Sequence, residues 1–273
     1  MTNKIKIQAS TNNRYKDRRF NKNNITVHKF KLFMEKIDTF INILHQLISI
    51  NKNLFSNVYN RVCMLINNDL INFTSKPEYI RNVKELIEAS FVNSLESYNS
   101  KFENLKLYEE KVLYEVYVTL EKLIDDMKSL YDQKNDCIGK LRGIMMEGLC
   151  ISIFGTVHDF KDNRFIWDFN AYEEETLIVK NGRQTSDIYF ENVDFGLVSE
   201  VKCRPRQIDE SQVDYVNYLS ERISITDKFT PRKIIFHGGT LDDYNSLQIG
   251  FKEKLKDFQI YCQNSIDSLI KIL

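Results

Sequence analysis

Glycine is missing from residues 29 to 134, a stretch that holds a single proline, Pro77, whereas all nine glycines lie from Gly139 onward. Both residues interrupt helices, so their scarcity leaves the first half free to build long ones and marks a boundary where it ends. Excess charge of either sign is also lacking, with 38 basic and 38 acidic residues. That excludes the overall basic bias of a non-specific nucleic-acid binder but not a local basic patch. The five cysteines, Cys63, Cys137, Cys150, Cys203 and Cys262, show no CxxC spacing and no paired histidines, so they read as reduced, buried thiols. No glycine-rich phosphate loop, HExxH or GxSxG occurs. No apolar run reaches membrane-spanning length, and the Asn- and Lys-rich start has no apolar signal core, so the expectation is a cytoplasmic protein with no membrane partner.

What is present divides into three parts. Residues 1–28 carry Lys4, Lys6, Arg14, Lys16, Arg18, Arg19 and Lys22 against one acid, Asp17, with Tyr15 and Phe20 as stacking groups. This reads as a mobile basic arm, serving either phosphate contact or simple solvation. Residues 29–134 show apolar side chains at three-and-four spacing over 29–50, 54–72, 78–98 and 102–131, with Pro77 placed to start a helix. Four helices of this kind make a helical domain whose stripes are core. Its remaining faces suit either a dimer interface or a DNA-recognition scaffold.

Residues 135–273 open with a helix over 136–154, where Leu141, Met145 and Leu149 share a face. Gly139 and Gly143 form a small-residue stripe that predicts close packing against a sheet, and Glu147 stands four residues after Gly143 on that face. An acid there needs either Lys140 or Arg142 or a bound cation as partner. Strand material fills 155–184, with an acidic turn at Glu173–Glu175, a hairpin turn at Asn181-Gly182, and His158 in a loop. A helix over 209–223, a buried strand Lys233–His237, a helix around 241–256, a strand Phe258–Cys262 and a closing helix 265–272 complete the order.

The chemistry concentrates between Thr185 and Lys202. Two runs of β-branched and aromatic residues flank a polar break at Asn192–Asp194, the pattern of a hairpin. A turn centred between Val193 and Asp194 sets position 187 across from position 200, so Asp187 neighbours Glu200 on the adjacent strand. Alternation then sends Glu200 and Lys202 to one face. Two carboxylates side by side repel unless a cation separates them, and an all-oxygen donor set suits Mg²⁺ or Mn²⁺. A lysine beside such a site can position water or neutralise a phosphate oxygen.

An Asp followed, after an intervening turn, by Glu-x-Lys at the end of an apolar strand resembles the PD-(D/E)XK nuclease superfamily, with Ser186 where the pattern has proline. The likeness covers 136–273 and implies an αβββαβ restriction-endonuclease-like core with a mixed central sheet, behind the all-helical first domain. It implies that Asp187, Glu200 and the Val201 carbonyl bind Mg²⁺, with Mn²⁺ as substitute, and that Lys202 positions the attacking water. Arg142-Gly-x-x-x-Glu147 resembles the superfamily's first motif, which makes Glu147 the holder of a second ion or its water. Gln212, with Tyr215 and Tyr218, is similar to the Gln/Tyr helix of RecB-like members and would organise the site. Arg204 and Arg206 beyond Lys202 hold either a phosphate or only solvent. A chain without helicase or ATPase motifs looks like a type II restriction endonuclease, a homodimer cutting double-stranded DNA beside a cognate methyltransferase. The alternatives are a partner-dependent defence or repair nuclease and a non-catalytic DNA-binding protein on the same fold.

Overall fold

The computed structural model describes residues 5–10, 24–72, 80–102, 104–132, 137–162, 164–193, 195–227 and 229–272. Pro77 and residues 1–4 and 11–23 of the basic arm lie outside them. In chain order the elements are β1 (Lys6–Ala9), α1 (Asn24–Ile50), α2 (Lys52–Met64), a π-helical turn (Leu65–Asp69) running into α3 (Leu70–Asn72), α4 (Ile80–Asn99), α5 (Leu107–Tyr131) and α6 (Ile138–Ile151). There follow β2 (Phe165–Glu173), β3 (Thr176–Leu177), β4 (Thr185–Glu191), β5 (Gly196–Lys202), α7 (Glu210–Asp227), β6 (Arg232–His237), α8 (Leu241–Asn245), α9 (Ile249–Lys254), β7 (Gln259–Tyr261) and α10 (Ile266–Ile270). The chain is a mixed α+β protein of two compact units.

The helical unit comprises Tyr15–Val157 and Gln263–Leu273. Phe30, Phe33, Ile37, Phe40, Ile41 and Leu44 of α1 are all buried, as their spacing predicts. Asn51 caps α2 by accepting the Leu54 amide at 2.9 Å, and its side-chain amide donates to Glu109 at 2.9 Å. The same Glu109 accepts the Lys106 amide at the start of α5, which satisfies an otherwise buried carboxylate. The segment 54–72 reads as one helix in sequence but loses its α register at Leu65–Asp69. Arg142 donates to the Ile66 carbonyl inside that turn at 2.7 Å, a partner from α6 that periodicity along one segment cannot show.

Two boundaries differ from the sequence reading. The helix opening the expected nuclease domain, α6, belongs to the helical unit, as does α10. The reason is in α6 itself: Ile138, Leu141, Ile144, Met145, Met146, Leu149, Cys150 and Ile151 are buried around most of its circumference, so it is an interior helix rather than one with a single apolar face. Its close approach also falls elsewhere than on the Gly139/Gly143 stripe. A Cβ on Gly139 would meet nothing within 4 Å, whereas one on Gly148 would lie 3.3 Å from Ile37 Cγ2 and 3.4 Å from Ile41 Cγ1 of α1.

The sheet unit comprises Met1–Arg14 and His158–Cys262. Its strands run in the order β1-β2-β4-β5-β6-β7, with β3 paired to β2. The pairs β1/β2, β2/β4 and β4/β5 are antiparallel, while β5/β6 and β6/β7 are parallel, because α7 and then α8–α9 carry the chain back across the sheet. The arm is therefore partly structured. Lys6–Ala9 forms the edge strand on β2, with Ile5 and Ile7 in the same apolar cluster as Val213, Val216, Leu219 and Ile223 of α7. Asp168, at φ 53°, interrupts the alternation of β2 so that Ile166 and Phe169 both enter that cluster. The expected helix over 241–256 is broken between α8 and α9. The five cysteines are buried, and none forms a disulfide. Among the described residues no helix is long and apolar enough to cross a membrane.

Candidate active site

The hairpin that holds the site forms in the expected register. The β4/β5 ladder pairs Glu191 with Gly196 and Ile188 with Ser199, so Asp187 stands across from Glu200. That ladder ends at Ile188/Ser199, and the Asp187 carboxylate takes over beyond it, accepting the Val201 amide at 2.7 Å. Meanwhile β5 stays paired to β6 as far as Lys202/His237. The end of the hairpin is thereby fixed from one side and open on the other.

Three oxygens converge there. Lys202 Nζ donates to Glu200 Oε2 at 2.9 Å, to Asp187 Oδ2 at 3.2 Å and to its neighbour's carbonyl, Val201 O, at 3.0 Å. These are the oxygens the sequence reading assigned to a metal, and a positive charge already lies at their common centre. Glu200 is only 1% exposed, and its Oε1 has no hydrogen-bond partner. Burial and then the charge of Asp187 push its carboxyl up to about 7, against the opposing pull of Lys202 and Arg183. A buried carboxylate with one orphaned oxygen is the kind of group that a hard divalent cation satisfies. Among the described residues no group of three or more His, Cys, Asp and Glu side chains could hold a metal ion, and what converges here is two carboxylates and a backbone carbonyl.

The remaining predicted residues fall in different places. Glu147 lies on α6 in the helical unit, while Asp187, Glu200 and Lys202 lie together in the sheet unit. Its side chain is on the Gly143 face, Oε1 falling 3.9 Å from where a Gly143 Cβ would be. Gln212 is engaged in capping α7: its Oε1 accepts the Asp209 backbone amide at 3.2 Å and its backbone N–H donates to Asp209 Oδ1 at 2.9 Å. Tyr215 is buried and donates to the Gln184 carbonyl at 3.0 Å, and burial with the charge of Glu200 raises its phenol well above the usual range. Arg204 and Arg206 flank Pro205 in a short 3₁₀ turn after β5, with Arg206 exposed.

Two residues at this end of the sheet escaped the sequence reading. Arg183 brings Nη2 to 3.5 Å from Glu200 Oε2 and Nη1 to 3.9 Å from Asp209 Oδ2. Its signal was available, because the Asn181-Gly182 turn starts a strand on which 183 and 187 share a face. His237, beside Lys202 in register, is fully buried and stacked on Tyr244 with centroids 6.1 Å apart, and neither ring nitrogen has a partner. Burial lowers its pKa to about 4, with Asp243 pulling the other way. No protein-family model, curated protein or solved structure matches this chain.

Proposed function

We propose that the chain is a divalent-metal-dependent nuclease of the PD-(D/E)XK type, cutting double-stranded DNA. The observation that carries this reading is the convergence of Asp187 Oδ2, Glu200 Oε2 and Val201 O on one cation position, occupied by Lys202 Nζ. Support comes from the order of elements, in which antiparallel β2, β4 and β5 precede α7 and the parallel strand β6. Mg²⁺, or Mn²⁺ in its place, would be held by those three oxygens and would supply charge neutralisation at the scissile phosphate and acidify water. The Val201 amide donates to Asp187 Oδ2, the same oxygen that Lys202 contacts, and so fixes its direction. Glu200, buried on the strand, would hold the ion as its carboxylate. Lys202, released from the acids, holds the attacking water in line and stabilises negative charge on the phosphate oxygens.

Within that class the reading is a type II restriction endonuclease, working as a homodimer so that two sites cut two strands, with a cognate methyltransferase protecting the host sites. Digestion of unmethylated phage-length duplex DNA with Mg²⁺ and with EDTA tests it: discrete Mg²⁺-dependent bands are expected. A smear would replace site specificity with partner-directed or non-specific cleavage. Intact DNA under every divalent ion would favour a binding protein in which Lys202 permanently neutralises the two acids.

A further inference from the structure

Arg183 leaves a turn that is held on both sides. Asn181 and Gly182 both have positive φ, 51° and 75°, and Lys180 and Arg183 exchange two backbone hydrogen bonds of 2.9 Å. Asn181 Nδ2 donates to Asp214 Oδ2 of α7 at 2.8 Å, which ties the turn to the helix above the sheet. A rigid base therefore delivers the guanidinium to the carboxylates. Yet its two contacts there, 3.5 Å and 3.9 Å, are long for an arginine–carboxylate pair, which closes to about 2.7–2.9 Å when the fork is matched to its partner. Nε is buried and has no hydrogen-bond partner at all, although the side chain as a whole is 28% exposed. An arginine fixed at its base, with both Nη contacts long, is underused by the groups around it.

Charge identifies what would use it. Asp187, Glu200 and Asp209 face Lys202 and Arg183, which leaves one net negative charge when all are ionised. One divalent ion turns that into one net positive charge, the complement of a single phosphodiester. The same ion takes Glu200 Oε2, the closer of the two acceptors of Arg183. We propose that Arg183 is a substrate-binding residue of this site, presenting its two Nη groups to the non-bridging oxygens of the scissile phosphodiester once a divalent ion holds Glu200. The planar fork fits such an oxygen pair, and a lysine at the same position would supply charge without the geometry.

The proposal rests on the nuclease reading, so the test begins with the duplex that the wild-type protein cuts. Arg183→Ala and Arg183→Lys are compared with wild type for KM and kcat on that duplex and for Mn²⁺ affinity. The expected result is a KM raised roughly ten- to a hundred-fold in Arg183→Ala, the size of a lost charged hydrogen bond, with partial recovery in Arg183→Lys. Mn²⁺ affinity should stay equal or tighten, since a competing cation has gone. Unchanged KM in both variants, or weakened Mn²⁺ binding, would overturn the role and leave Arg183 as a neutraliser of Glu200. If Arg183→Ala unfolds, the Lys variant alone decides, by whether its KM rises. Absence of cleavage by the wild-type protein would remove the nuclease reading and this proposal together, whereas cleavage with unchanged KM in the variants removes only the proposal.

Discussion

Lys202 Nζ lies 2.9 Å from Glu200 Oε2, two positions back along β5, and that short contact places an ammonium where the proposed metal would bind. Alternation along the strand sends both side chains to one face, and burial of Glu200 makes the pair tight. A cation entering from solvent therefore has to displace the lysine. Such an exchange would free Lys202 for the scissile phosphate only when the ion is present, which ties the two halves of the chemistry together.

Replacement of Lys202 by Ala is expected to abolish cleavage while leaving DNA binding and Mn²⁺ binding intact, with Mn²⁺ binding at least as tight as in wild type because its competitor is gone. Parallel gel cleavage, DNA-binding and calorimetric Mn²⁺ titrations check this. Normal cleavage by the variant would refute the role given to the lysine.

Glu200 makes the metal-free protein sensitive to alkali rather than to acid. Its carboxyl holds a proton to about pH 7 in the fold but only to the ordinary 4.5 when unfolded, so between those values the native state binds more protons and stability falls as pH rises. Above both values the penalty is fully present, on the order of 3 kcal/mol for a shift of this size. In EDTA, Glu200→Gln should therefore gain melting temperature over wild type at pH 8 and show no gain near pH 4. Mn²⁺ should stabilise wild type more at pH 8 than at pH 5.5, since a proton no longer competes. Melting curves that stay parallel across this range would contradict the assignment.

Gly196 begins β5 under the ring of Phe229. A Cβ there would fall 2.6 Å from Phe229 Cε2 and 3.3 Å from the Phe190 carbonyl, so the ring has to shift. Gly196→Ala should lose about 1–3 kcal/mol, read as a lower denaturant midpoint with an unchanged slope. A midpoint equal to wild type would show that the ring moves freely.

The hairpin was legible because its information is local: a polar break fixes the register, and the register fixes which side chains meet. Asp187, Glu200 and Lys202 follow from that alone. Strand β1 was not legible, since Lys6–Ala9, four residues just after Ile5 in a basic, Asn-rich stretch, become a strand only when β2 supplies the partner. The ownership of α6 was hidden for a related reason. Its glycine pattern announces close packing without naming the neighbour, and the neighbour at Gly148 is α1, about a hundred residues earlier in the chain. A Gln at the start of a helix after Glu-x-Lys fits two roles, and Gln212 shows the contacts of the cap.

The most direct measurement is cleavage of duplex DNA by wild type and by Asp187→Asn, each with Mg²⁺ and with EDTA. Asp187→Asn removes a ligand charge yet keeps an oxygen to accept the Val201 amide, so the hairpin end should stay in place. Mg²⁺-dependent cutting by wild type is expected, with a loss of several orders of magnitude in the variant. Cutting in EDTA, or a variant as active as wild type, would contradict it.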